Sequence, residues 1–280
     1  LIIELAILRA FGKRLVWTVH NMVNHDGMFP EIEIWVSRWV ARLSHAIVCH
    51  SEYAAELAAK MYSADPSRIV VAPHPAWSIY DDTVTRTEAR SELGLGECGR
   101  VFVFVGRVAP YKGVDELISA FGKIESDSAR LLVAGGPVSD SYRMQIESLA
   151  EVDDRIHTFL KFVPDDQMQL FIKAADVVVF PFRDILTSGS VLLAMEFGRP
   201  CIAPMAGAIP ETLPNEQFPL LYEPSDKCGL FEAMMRAMRN DDDLCAIGNA
   251  NSRQVKDWTW DNLASACISL YQNSQNQVET

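Results

Sequence analysis

VFVFVGRVAPYKG, residues 101–113, is an apolar run that stops at a glycine. Residues 101–105 are all β-branched or aromatic, which predicts a strand buried on both faces. Residues 115–124 follow with Leu117, Ile118 and Phe121 on one face, which predicts a helix. Arg107 and Lys112 then lie on the loop leaving the C-terminal end of a strand, the edge at which open parallel sheets bind ligands. Two cations there suit an anion, with Arg107 as a planar fork and Lys112 as a point charge. Taken alone, the stretch also reads as a solvated loop with two ordinary charges.

Apolar and amphipathic segments alternate on both sides of it. Upstream, strands are expected over 14–19, 46–49 and 68–72, and helices over 1–10, 31–43 and 52–61, the last with Ser51 as N-cap. Downstream, strands are expected over 130–134, 156–160, 177–180, 201–203 and near 220–222. Helices are expected over 141–150, 165–174, 190–197, 227–239, 243–255 and 260–271. Such β–α alternation implies right-handed crossovers and a mostly parallel sheet with helices on both faces. It occurs on either side of the polar, strand-poor segment 76–99. The expected class is therefore α/β, with two Rossmann-like domains facing a cleft. The expected bounds are 1–80, 81–257, and 258–280 for a final helix and tail able to cross back to the first domain. The chain begins at Leu1 within an apolar helical stretch that lacks the parts of a signal peptide, so the first domain is expected to be incomplete.

The chain has 280 residues, 49% of them hydrophobic, and a net charge of −12, which argues against nucleic acid as a partner. It has no run of about 18 apolar residues, so no membrane span is expected. Six scattered cysteines form no CxxC pair and read as reduced, in a cytosolic protein. The six histidines lack metal spacing, so neither a zinc site nor a cofactor is expected. The helix 31–43 has Trp35 and Trp39 on its apolar face beside Arg38 and Arg42. That fits either packing on the sheet or an interfacial helix at a membrane surface.

Four strand-end loops of the second half are candidate ligand contacts: Gly106-Arg107 with Lys112, Gly135-Gly136, Thr187-Ser188-Gly189-Ser190, and Gly207-Ala208. The third precedes an apolar helix, whose N-terminal N–H groups and dipole favour an anion. Each alone is also readable as a turn or a cap; together they suggest a diphosphate site. The P-loop, the dinucleotide fingerprint and the nucleophile elbow are absent. In the first half His20 ends a strand and can hydrogen-bond a substrate hydroxyl or act as a base, or can simply support a turn. His25, Asp26 and His50 are weaker candidates.

The motif Gly106-Arg107-x-x-Pro110-x-Lys112-Gly113 resembles the donor-phosphate motif of glycosyltransferase family 4, retaining enzymes of the GT-B fold. LLVAGGP (131–137), FLKFVPDDQMQLFIKAADVVVFP (159–181), FGRPCIAPMAGAIPE (197–211) and WTVHN (17–21) extend the resemblance across about residues 14–273. It implies a hexosyltransferase that takes a nucleoside-diphosphate sugar to a carbohydrate or lipid-linked acceptor with retention and without a metal, in surface or exopolysaccharide assembly. It implies that Arg107 and Lys112 neutralise the diphosphate, that the turn 187–190 supplies N–H groups, and that Lys161, Phe162 and Val163 lie near the base. It implies that His20 contacts the donor sugar or the acceptor, and that the enzyme is cytoplasmic, working at the inner membrane face where its acceptor is lipid-linked. The glutamate pair that many members carry around the phosphate-binding turn is replaced here by Ile185 and Leu193; Glu196 is the nearest acid. That departure keeps open a non-catalytic sugar-nucleotide-binding module. A further alternative, another GT-B enzyme such as an epimerase, would need more acid–base residues than His20 in the first half.

Overall fold

Among the described residues every strand pairing is parallel. The computed structural model describes residues 1–23, 29–76, 80–96, 98–239 and 241–272. They fall into two units: Leu1–Pro75 with Asp257–Thr280, and Ala76–Lys256.

The first unit contains α1 (Ile2–Ala10), β1 (Val16–Val19), α2 (Pro30–Leu43), β2 (Ala46–Cys49), α3 (Glu52–Tyr62) and β3 (Ile69–Val71), together with the C-terminal helix Trp260–Gln272. The sheet order is β1-β2-β3, with Val19 opposite Cys49 and Cys49 opposite Val71. The central strand β2 is buried along its length, as its unbroken apolar run predicts. Ser51 caps α3 by accepting from the Ala54 N–H at 3.0 Å. Pro30 in the first turn and Glu31 and Glu33 beside it favour the start of α2. Of α2, Ala41 is buried while Trp35 is 55% exposed, and the helix lies against α1 and α3. Among the described residues no helix is long and apolar enough to cross a membrane.

The second unit runs α4 (Arg86–Glu92), β4 (Val101–Val105), α5 (Val114–Phe121), β5 (Arg130–Ala134), α6 (Asp140–Ala150), β6 (Ile156–Phe159), α7 (Asp165–Ala174), β7 (Val177–Val179), α8 (Gly189–Glu196), β8 (Cys201–Pro204), α9 (Ile209–Thr212), β9 (Leu221–Tyr222), α10 (Gly229–Ala237) and α11 (Asp241–Val255). Its strand order is β6-β5-β4-β7-β8-β9. Successive strands add to one side of β4 and then to the other, so the order reverses between β4 and β7. All five residues of β4 are buried. Phe102, Phe104, Phe121, Leu131, Ile146 and Met234 belong to the core that surrounds it.

Most expected elements form within one to three residues of their predicted bounds. Two segments differ. The residues after β8, expected as a small-residue loop, include the short helix α9, whose Pro210 has its backbone angle preset for a first turn. Asn215–Leu220 is a 3-10 turn that buries Gln217 completely. The Gln217 amide accepts from Cys201 N–H at 3.0 Å and donates to Cys201 C=O at 2.5 Å, and Asn251 donates to it at 2.9 Å. A side-chain amide here satisfies strand groups, which no local pattern signals.

Asp176 fastens the opposite end of the β4–β7 pair. Its carboxylate is buried and accepts from Val101 N–H at 2.7 Å, from Arg90 at 2.8 Å and from Arg86. Asp176→Ala should lower stability by about 3 kcal/mol, because Arg90 and the strand N–H lose their partner in a mostly dry site. Urea unfolding checks this, and an unchanged midpoint would remove the brace from the account.

Candidate functional site

At the reversal of strand order, the ends of β4 and β7 leave a crevice of the kind that binds ligands in doubly wound sheets. A cavity of about 270 Å³ lies there. It brings together six residues nominated by the sequence: Gly106, Lys112, Thr187, Ser188, Gly189 and Ser190. Tyr80, Val105, Met168 and Leu193 complete the lining among the described residues.

Lys112 ends a 3-10 turn, Pro110–Lys112, between β4 and α5. Its Nζ lies 4.1 Å from the Phe182 ring centre and 5.2 Å from that of Tyr111. Burial pushes its pKa down to about 8. The turn is tied to the segment after β7 by Arg183. Arg183 pairs with Asp115 and Glu116 at 2.8 Å each, donates a guanidinium N–H to Pro110 C=O at 2.7 Å, and donates its backbone N–H to Tyr111 C=O at 2.9 Å. Sequence reasoning missed Arg183 and Phe182; the only signal was their position just after β7, in FPFR.

The start of α8 faces the same space. Ser188 stands at the N-cap position, yet its side chain makes no capping hydrogen bond, and its Oγ is buried with no partner among the described residues. An uncapped helix start presents N–H groups and the positive end of a dipole. The partly buried Lys112 lines the same cavity. The combination attracts a multiply charged anion, and the Ser188 hydroxyl can contribute a further donor.

The other nominated residues take different places. Arg107 is exposed on the loop after β4 and is not part of the cavity lining. Gly135 has φ +147°, and a Cβ there would lie 1.7 Å from the Gly106 carbonyl oxygen. It lets the β5 turn pass against the β4 turn, where Gly106 N–H bonds Ala134 C=O at 3.0 Å. Gly136 lies against the backbone of Phe162 on the loop after β6, where Lys161 and Phe162 are exposed and Val163 is buried. Gly207, with φ +56°, would place a Cβ 2.2 Å from Ile185 C=O, and Ala208 N–H bonds Leu186 C=O at 2.9 Å. That fourth loop braces the segment leading into α8, which accounts for its small residues; it is not part of the lining. Ile185 and Leu193 are both buried. Glu196 lies outside the lining but, with Asp165 and after burial itself, raises the pKa of Tyr80 on the cavity wall. Tyr80 lies in the polar, strand-poor segment 76–99, and Met168 on the helix expected over 165–174; neither was nominated.

In the first unit His20 is exposed at the end of β1. His50 follows β2 and His74 follows β3, and the three rings cluster with centres 4.9–6.2 Å apart. His50 Nδ1 lies 2.9 Å from Ala72 C=O, and His74 Nδ1 lies 2.8 Å from Pro75 C=O. Burial is the largest cause that lowers the pKa of both rings. His45 is elsewhere, its Nδ1 accepting from Leu15 N–H at 3.1 Å. His25 and Asp26 lie outside the described residues.

Comparison with known proteins fits this geometry. A family profile described as glycosyl transferases group 1 matches residues 99–240, and one described as glycosyltransferase family 4 matches residues 2–76. The chain is 29% identical over 225 residues to D-inositol 3-phosphate glycosyltransferase of Corynebacterium glutamicum, covering 76% of this chain and 53% of that protein. It is 25% identical over 259 residues to GDP-mannose:glycolipid 4-beta-D-mannosyltransferase of Xanthomonas campestris, covering 90% of this chain and 66% of that one. The chain thus spans about half to two thirds of the length of these relatives. Among solved structures, Anabaena HepE in complex with UDP and glucose matches with a TM-score of 0.77 at 16% identity, over 99% of this chain and 75% of that one. Sucrose-phosphate synthase of Thermosynechococcus elongatus matches with a TM-score of 0.78 at 20% identity, over 98% of this chain and 71% of that one. These likenesses are of fold, and the fold is GT-B.

The depressed pKa of Lys112 has a consequence for stability. A lysine with a native pKa below its unfolded value, near 10.4, costs stability while it is charged. The cost is complete below pH about 8 and fades as pH rises toward the unfolded value. Lys112→Met should therefore stabilise the ligand-free chain at pH 7 by roughly 1–3 kcal/mol, the aromatic contacts of the ammonium favouring the lower figure. The gain should shrink between pH 8 and 10. Urea midpoints of both proteins at pH 7 and pH 10 check the sign.

Proposed function

The chain belongs to the group 1, family 4 glycosyltransferases, and we propose that it transfers a hexosyl group from a nucleoside-diphosphate sugar to a carbohydrate or glycolipid acceptor. The observation that carries this reading is the shared cavity of Lys112 and the uncapped start of α8 at the switch point of the sheet. In the reaction the bond between the anomeric carbon and the diphosphate breaks, and one to an acceptor oxygen forms. The departing nucleoside diphosphate gains negative charge. Lys112, the N–H groups of α8 and, from the loop after β4, Arg107 stabilise that charge, doing at the diphosphate what a metal does elsewhere. The low dielectric around Lys112 strengthens its share. His20, at a strand end of the first unit, contacts the donor sugar or orients the acceptor. Lys161, Phe162 and Val163 line the approach of the base, and transfer proceeds with retention.

The relative from Xanthomonas acts on a glycolipid, as its name states. That supports a lipid-linked acceptor, a role in surface polysaccharide assembly, and work at the cytoplasmic face of a membrane. The exposed Trp35 and Trp39 of α2, beside Arg38 and Arg42, suit a peripheral membrane contact.

A second reading rests on one observation: buried Ile185 and Leu193 stand where many members carry glutamates. It makes the chain a sugar-nucleotide-binding module without turnover. Calorimetry with UDP-, GDP- and ADP-sugars beside a transfer assay separates the two, because tight binding with no product favours the module.

For the transferase, Arg107→Ala and Lys112→Ala should each lower kcat/KM by about 100- to 1000-fold. Unchanged kinetics would remove the residue concerned from the diphosphate site. The pH profile should also carry the mark of Lys112. Its ammonium is charged below about pH 8 and neutral above, so kcat/KM should fall as pH rises through that value. Lys112→Arg should extend the plateau to higher pH, since a guanidinium stays charged. Profiles that coincide would assign the fall to another group.

A further inference from the structure

We propose that His20, His50 and His74 form a binding site for one divalent transition-metal ion of the zinc class, at the strand-end edge of the sheet in the first unit. One ring nitrogen from each lies within 4.8 Å of the others. A tetrahedral ion with metal–nitrogen bonds of about 2.0–2.1 Å holds its ligands about 3.4 Å apart, so small side-chain rotations close the set.

The parallel register accounts for the juxtaposition. Val19 pairs with Cys49, so the next residues, His20 and His50, emerge side by side. Cys49 pairs with Val71, and Ala72 N–H bonds Cys49 C=O at 2.9 Å, so His74 follows onto the same edge. The three histidines are 30 and 24 positions apart in sequence, which is why spacing along the chain predicts no site.

Two further observations point to an ion rather than to ring packing alone. Carbonyl oxygens only accept, so the contacts of His50 Nδ1 with Ala72 C=O and of His74 Nδ1 with Pro75 C=O put the proton on Nδ1. The lone pair of each ring is then on Nε2. A backbone carbonyl holding Nδ1–H is the usual outer support of a metal-bound imidazole. In addition, His50 is only 8% exposed, and its Nε2 is buried with no hydrogen-bond partner among the described residues. A buried acceptor left open is costly and calls for an explanation. An ion shared with His20 and His74 supplies one. An all-imidazole set selects zinc, cobalt, nickel or copper over magnesium or calcium. Three protein ligands, with His20 on the exposed side, leave the fourth position for water or an oxygen of a bound molecule.

Binding is read with no sugar nucleotide present, so this site stands or falls apart from the transferase reading. Chelator-treated protein, free of any affinity tag, is titrated with zinc chloride at pH 7.5 by calorimetry. Cobalt chloride serves as the optical probe of a four-coordinate site. The expected result is one equivalent of zinc at micromolar affinity or tighter, the visible absorption of tetrahedral cobalt, and no competition from millimolar magnesium. His20→Ala and His74→Ala, checked for folding by circular dichroism, should each weaken zinc binding at least about tenfold. His157→Ala, a histidine on β6, should leave it unchanged. If His50→Ala does not fold, the other two variants decide. No stoichiometric zinc binding, binding unaltered in His20→Ala and His74→Ala, or equal competition by magnesium would overturn the proposal.

Discussion

The second unit is arranged around one unfavourable act, the partial burial of the Lys112 ammonium at the place where the sheet changes direction. A lysine held at a pKa of about 8 by loss of water is a standing cost to the fold. It persists because the surroundings allow little relaxation. Arg183 ties the turn to Asp115 and Glu116, and Phe182 and Tyr111 give the ammonium ring faces in place of water. Among the described residues no carboxylate pairs with Nζ, and Asp115 and Glu116, on the helix that follows the turn, pair with Arg183.

The start of α8 follows the same logic with opposite means. The sequence places Ser188 where a hydroxyl would ordinarily satisfy a first-turn N–H, yet the hydroxyl makes no capping bond and is buried without a partner among the described residues. Two elements of the fold, a lysine short of water and a helix short of a cap, each forgo stabilisation beside one cavity. An anion with several oxygens repairs both at once. The loops behind them are built for rigidity. Gly135 admits the Gly106 carbonyl at a distance no side chain would allow, and Gly207 does so for the carbonyl of Ile185. Neither glycine contributes to the lining; both hold the backbone that does.

How much of this was legible in the sequence follows from the range of the forces concerned. The strands of the second unit were readable because burial on both faces demands unbroken apolar runs, as in VFVFV and VVV. The turns were readable because Gly106 and the Thr-Ser-Gly-Ser run mark strand ends by composition alone. The Gln217 amide against Cys201, Arg183 against Asp115, and Tyr80 on the cavity wall were not readable. Each depends on residues far apart in the chain, and each involves a type that is usually solvated. The position of Arg107 shows the limit from the other side. Its place beside Gly106 was plain, but the direction of its side chain was not, and the cavity lining does not include it.

The histidines make the point most sharply. Metal motifs are recognised by spacing within one helix or one loop, and these three have none. A parallel sheet creates proximity of another kind: every strand ends at the same edge, so residues that follow successive strands meet there regardless of the chain between them. The register of β1, β2 and β3 fixes which residues meet to within one position, and a slip of one would turn the neighbouring side chains to the other face. The rule that gathers Gly106, Lys112 and Ser188 at the ends of β4 and β7 is therefore the rule that gathers His20, His50 and His74 in the first unit. A strand end carrying a polar side chain is best read together with the ends of its neighbours in the sheet.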